Sequence, residues 1–275
     1  MALTRRQVRD LLAEHGLSPS RALGQNFVAD PNTVRRIARL AGVGPGDRVV
    51  EVGPGLGSLT VALAETGADV TAVELDRHLL PVLRSVVEPL GVRVVEGDAM
   101  TLDWNEVLGG AVAGPAGHRW ALVANLPYNV ATPLVLDLLD RVPAIDRMLV
   151  MVQREVGERL AAGPGSKAYG IPSIKVAYRA HAEVVGRVPP TVFLPQPRVD
   201  SALVRLRRLP EPPVDVDRDR LFRLVEAAFG QRRKMLRRSL AALVDPSAFD
   251  RAGVRPDARA EELSLEDWAH LANAI

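Results

Sequence analysis

The chain has 275 residues, 47% of them hydrophobic, which suffices for one large domain and a small one. Its 35 basic and 33 acidic residues leave a formal net charge of +2, which argues against a uniformly cationic RNA-coating protein; the absence of cysteine excludes disulfides, thiolate metal sites, iron–sulfur clusters and thiol nucleophiles. Residues 1–16 lack the apolar core of a signal peptide, and no stretch approaches the roughly eighteen apolar residues of a bilayer span, so a cytoplasmic protein without membrane association or bound metal is expected.

The first 45 residues read as helical decoration ahead of a sheet, with Gly24-Gln25-Asn26-Phe27 as a glycine-led turn. From about residue 48 to 150, strand-length apolar runs alternate with helical patterns, the rhythm of βαβ units around a parallel sheet. Strands are predicted at 48–53, 69–76, 92–100, 119–128 and 147–153, with helices at 58–67, near 77–88 and at 132–141. A helix at 155–163, a helical period at 173–181 running into a strand at 182–188, and an alternating strand at 201–209 follow. The proline-rich, acidic segment 209–217 reads as a linker. This predicts an α/β domain over 1–208 and an all-helical domain over 218–275. A helix over 231–243 would place Leu236, Leu240 and Leu243 on one face and Arg233, Lys234, Arg237 and Arg238 on the other, with Arg232 off the basic face. Five cations within residues 231–238, with no acid among them, make Arg232, Arg233, Lys234, Arg237 and Arg238 the candidate RNA-binding set.

Three features at successive strand ends point to a nucleoside ligand. Glu51 to Gly57 reads EVGPGLG, with Gly53, Gly55 and Gly57 between a strand and a helix, where backbone can approach a ligand closely. Ser58 stands where a dinucleotide fingerprint has its third glycine, and Pro54 removes an N–H, so the turn is not built to grip a pyrophosphate. Glu74 is placed to accept from two ribose hydroxyls, and Asp98 from an adenine amino group. An adenosine-type cofactor without phosphate is S-adenosylmethionine.

The fourth of these strands stops in Asn125-Leu126-Pro127-Tyr128. The amino group of adenine or cytosine is a poor nucleophile because its lone pair is delocalised into the ring. Two acceptors aimed at its N–H bonds, the Asn125 amide oxygen and the Leu126 carbonyl, would draw the nitrogen towards tetrahedral geometry, with Pro127 as a rigid support and Tyr128 as a stacking surface. Alone, Asn-x-Pro is a common strand ending. Phe193 lies in a proline-rich segment and has two readings, a second stacking wall for an extruded base or a core anchor for its loop.

The blocks GQNF (24–27), EVGPGLGSLT (51–60), NLPYNV (125–130), VPPTVFLPQPRVDSALVRL (188–206) and FGQRRKMLRRSL (229–240) resemble, in this order, the ribosomal RNA adenine N6-dimethyltransferases. They look most like the branch that modifies two adjacent adenines in the 3′-terminal hairpin loop of small-subunit (16S) RNA. The resemblance implies a class I S-adenosylmethionine-dependent methyltransferase domain, Rossmann-like with a seven-stranded, mostly parallel sheet, followed by a helical RNA-binding domain. It implies a cofactor site of Asn26, the Val28 backbone, Gly53, Glu74, Asp98 and Asn125, to which the glycine turn adds Gly55. Asn125 to Tyr128, with Phe193, would surround the target base, and the partner would be the small ribosomal subunit or its precursor, met by a monomer. Val28, Gln196 and the pair Arg21-Ala22 depart from the family's usual residues. The alternatives are a large-subunit methyltransferase of the macrolide-resistance type, which ordinarily lacks a tract like RRKMLRRSL, and an assembly factor acting mainly by RNA binding.

Overall fold

A computed structural model describes residues 2–110 and 119–275. Nine strands are present among them: β1 (Phe27–Val28), β2 (Arg48–Val52), β3 (Asp69–Glu74), β4 (Arg93–Glu96), β5 (Trp120–Asn125), β6 (Ile145–Gln153), β7 (Ala180–Val188), β8 (Phe193–Leu194) and β9 (Ser201–Arg208). Seven form one sheet in the order β4-β3-β2-β5-β6-β9-β7. The pairs β2–β3, β3–β4, β2–β5 and β5–β6 are parallel and β6–β9 is antiparallel. The near-continuous apolar runs of β2, β3 and β5 suit strands covered on both faces.

From β2 the chain builds outward through β3 to β4, then returns to lay β5 on the other side of β2. That reversal is a topological switch point, and an open α/β sheet binds ligands outside its strand C-termini at such a place. The glycine turn after β2 and the Asn125 ending of β5 therefore face the same crevice. Core residues under it include Val49, Leu63, Val70, Ala121, Val123 and Leu149.

All seven predicted strands are strands of this sheet. The GQNF segment is more than a turn: Phe27 and Val28 pair antiparallel with Leu194 and Phe193 in a separate two-stranded sheet.

The chain divides into two compact units, Met1–Gly157 with Glu183–Arg208, and Glu158–Ala182 with Leu209–Ile275. A single cut at 208 misses that residues 158–182 belong with the C-terminal helices. Tyr169, Ile174 and Tyr178 from that segment share a core with Leu236, Leu240, Phe249 and Trp268. Within the proposed linker, Val214 and Val216 are partly buried against the same core.

The helix expected over 231–243 is not formed. Helix Arg218–Gly230 ends, a turn follows, and only Leu236–Ser239 is helical. The reason is competition for backbone donors: Leu236 N–H donates to Ala258 O (2.8 Å) and Arg237 N–H to Pro256 O (3.0 Å), and Met235 bridges Arg259. Leu236 and Leu240 are buried as the pattern required, whereas Leu243 is 39% exposed.

Candidate cofactor and base site

The crevice is a cavity of ≈ 180 Å³ bounded by the ends of β2 to β5, the glycine turn, the GQNF segment and residues 125–130. Gly53 (φ +71°) and Gly55 (φ +59°) hold left-handed backbone that L side chains rarely adopt. Gly55 has a second constraint, because a Cβ there would stand 2.7 Å from the Phe27 ring. The turn is thus sandwiched between ligand space and Phe27.

Glu74 closes β3 and is 5% exposed. Its Oε2 accepts from Gly55 N–H (3.0 Å) and its Oε1 from Asp76 N–H (2.8 Å). These bonds tie the acid to the glycine turn, and each oxygen keeps a further lone pair. Burial raises the Glu74 pKa, against the pull of the backbone donors. Asp98 lies two residues beyond β4, not at its end, and lines the cavity with Oδ1 accepting from Met100 N–H (2.9 Å).

Sequence reasoning passed over Glu51, the one acid inside β2. It is 1% exposed, lines the cavity, and its Oε2 has no hydrogen-bond partner. Burial pushes its carboxyl up to about 8, with the nearby Glu74 charge adding to the rise. A lone acid within the apolar run at the end of β2, after Val49 and Val50, was the available signal.

On the opposite lip, Asn125 Nδ2 donates to the Asn26 carbonyl (3.0 Å). A carbonyl can only accept, so this contact turns the Asn125 Oδ1 away as a free acceptor. Asn26 is itself held by Nδ2 donating to Gly24 O, and the neighbouring Gln25 donates to Asp76. Leu126 N–H donates to Met151 O (3.0 Å), which anchors the Leu-Pro-Tyr turn to β6. The Pro127 ring lies 3.6 Å from where a Gly53 Cβ would stand, so this loop and the glycine turn abut. Tyr128 is partly exposed at the cavity, its hydroxyl 2.9 Å from Ser201 Oγ.

The structure brings together Asn26, Val28, Gly53, Gly55, Glu74, Asp98, Asn125, Leu126, Pro127 and Tyr128 around one cavity. It does not bring Phe193 there. Phe193 pairs with Val28 and is 0% exposed in the sheet-covering core, so the core-anchor reading replaces the stacking wall: its ring has no surface to offer a base. Of the basic tract, Arg233, Lys234, Arg237 and Arg238 are exposed and have no carboxylate partner among the described residues, while Arg232 is paired with Glu261 and donates to Lys167 O (3.0 Å).

Besides Glu51, which burial keeps protonated, the cavity wall carries Glu74 and Asp98 but no Lys, Arg or His among the described residues. Such a wall suits a cationic adenosine derivative and opposes a phosphate, which fits S-adenosylmethionine. Fold and crevice together define the class I S-adenosylmethionine-dependent methyltransferases.

The comparisons narrow this class. The model of the ribosomal RNA adenine dimethylase family matches residues 17–275, and the chain belongs to that family. It is 49% identical to the ribosomal RNA small subunit methyltransferase A of Thermobifida fusca, over 98% of this chain and 95% of that one. It is 47% identical to the protein of the same name from Bifidobacterium adolescentis, over 98% and 92% respectively. Among solved structures, the 23S rRNA methyltransferase ErmE superposes with a TM-score of 0.67 at 29% identity, over 90% of this chain and 99% of that one. A dimethyladenosine transferase from Plasmodium falciparum shares the fold, with a TM-score of 0.71 over 88% and 94% at 22% identity. The protein is thus an S-adenosylmethionine-dependent rRNA adenine dimethyltransferase.

Proposed function

We propose that the protein dimethylates the N6 amino groups of two adjacent adenines in the 3′-terminal hairpin loop of small-subunit (16S) rRNA, acting as a cytoplasmic monomer on the small subunit or its precursor. The observation that carries the chemistry is the bond from Asn125 Nδ2 to Asn26 O, which leaves the Oδ1 of this cavity-lining residue free to accept. Support for the small subunit comes from the names of relatives at 47% and 49% identity, against 29% for the large-subunit enzyme. That no helix among the described residues is long and apolar enough to cross a membrane is consistent with the cytoplasm.

S-adenosylmethionine, when bound, supplies the methyl group. Glu74 would accept from the ribose hydroxyls with the lone pairs its backbone contacts leave free, and Asp98 would accept from the adenine amino group of the cofactor. Asn26, Val28, Gly53, Gly55 and Asn125 complete that side. Asn125 Oδ1 and the Leu126 carbonyl then accept from the N–H bonds of the target amine and draw its lone pair out of the ring, while Tyr128 stacks on the base. No strong base is needed, because the nitrogen becomes acidic once it is methylated. Placement alone is worth roughly 7–11 kcal/mol in well-oriented intramolecular reactions.

Arg233, Lys234, Arg237 and Arg238 contact RNA phosphates. Arg232 supports the tract from within unit 2 through Glu261. The test is transfer of label from the cofactor to small and large particles lacking the modification, followed by mapping of the modified bases. Label confined to the large particle would overturn the assignment.

A further inference from the structure

With Phe193 buried, the rings at the cavity among the described residues are Phe27 and Tyr128, and Phe27 is packed against Gly55 with 7% exposure. Of these two rings, Tyr128 is the one with surface to offer a target base. The hydrogen-bond partner of that ring's hydroxyl is a residue outside the cavity wall. The Tyr128 hydroxyl lies 2.9 Å from Ser201 Oγ, and Ser201, at the first position of β9, is 0% exposed. Tyr128 follows β5, and β6 lies between β5 and β9, so the side chain reaches across the C-terminal end of β6, where Ser201 sits opposite Gln153.

The near end of the side chain is also held. Leu126 N–H is bonded to Met151 O, and Pro127 restricts the backbone before the tyrosine. A tyrosine has two side-chain torsions, and tying down both ends removes most of that freedom before any base arrives, which is how preorganisation improves binding. The backbone of Ser201 is independently secured by the β6–β9 ladder, so its hydroxyl is not needed to hold β9 in place.

We propose that Ser201 is a positioning residue for methyl transfer: through its hydrogen bond to the Tyr128 hydroxyl it sets the plane on which the target adenine stacks. Ser201 does not touch the base. The proposal rests on Tyr128 being the stacking surface, and the experiment separates the two ideas.

The variants are Ser201→Ala, Tyr128→Phe, the double variant and Tyr128→Ala, assayed by methyl transfer to unmodified small-subunit particles with cofactor saturating. Cofactor affinity by calorimetry and thermal unfolding are measured beside it. Ser201→Ala is expected to lower kcat about five- to tenfold, the equivalent of one net hydrogen bond of roughly 1 kcal/mol. Cofactor affinity should stay unchanged, which a general structural defect would not allow. Tyr128→Phe should match it, and the double variant should be no worse than either single one. Ser201→Ala at the full rate, or losses that multiply in the double variant, would overturn the proposal. Full activity in Tyr128→Ala would instead overturn the stacking role itself. If Ser201→Ala does not fold, Tyr128→Phe removes the same bond from the partly exposed side, and a full rate there overturns the proposal by itself.

Discussion

Alanine at Gly55 and at Gly53 makes a matched pair of perturbations. Both glycines have positive φ, so either substitution costs roughly 1–2 kcal/mol of backbone strain. At Gly53 the nearest atom to the new Cβ is 3.6 Å away, an ordinary van der Waals approach to Pro127. At Gly55 the Cβ would stand 2.7 and 2.8 Å from two carbons of the Phe27 ring. That ring is fixed among Leu56, Leu79 and Val82 and cannot swing into solvent. Overpacking of this kind adds about 1–3 kcal/mol. Gly53→Ala should therefore cost about 1–2 kcal/mol in urea unfolding, and Gly55→Ala about 2–5 kcal/mol from strain and overpacking together. Because Phe27 adjoins Asn26, whose carbonyl orients Asn125, Gly55→Ala should also slow methyl transfer. Adding Phe27→Leu should recover part of the stability. Equal costs at the two glycines, or no recovery with the smaller side chain, would refute the reasoning.

Asn125→Ala should keep cofactor affinity within a few-fold by calorimetry and slow methyl transfer by on the order of 10²-fold, the cost of removing one acceptor at about 3 kcal/mol. Glu51 holds a proton in the folded protein up to about 8, whereas the unfolded chain loses it near 4.5. Its contribution to stability without cofactor should thus be full below the lower value and be lost as pH rises towards the upper one, and Glu51→Gln should remove that part of the pH dependence when urea midpoints are followed across the window. Charge reversal of Arg233 and Arg237 should weaken particle binding and reduce its salt dependence by about 0.7–0.9 log unit for each phosphate no longer neutralised. An unchanged slope would return these arginines to a solvated surface.

The parallel sheet was legible because its strands are apolar runs such as WALVA and RVV, separated by helical periods. The cofactor turn was legible because glycine spacing and acids at strand ends are local patterns. The β1–β8 pair was not, since two-residue strands have no period and their partner lies more than 160 residues away. The 231–243 helix failed for a related reason: the spacing of Leu236 and Leu240 is real, but the N–H groups of Leu236 and Arg237 are taken by residues 256–258. Nor does a strand pattern reveal that Glu51 would be left with an unpartnered oxygen, because that depends on neighbours supplied by other strands.

The assignment of residues 158–182 to the C-terminal unit means that the chain crosses between units three times, after Gly157, Ala182 and Arg208. Truncation at residue 208 is consequently not the removal of a module. It strands Tyr169, Ile174 and Tyr178 without the helices that cover them, and leaves an apolar surface spliced into the middle of the catalytic chain. Exchange of the C-terminal unit between relatives would have to carry the 158–182 insert along with the tail.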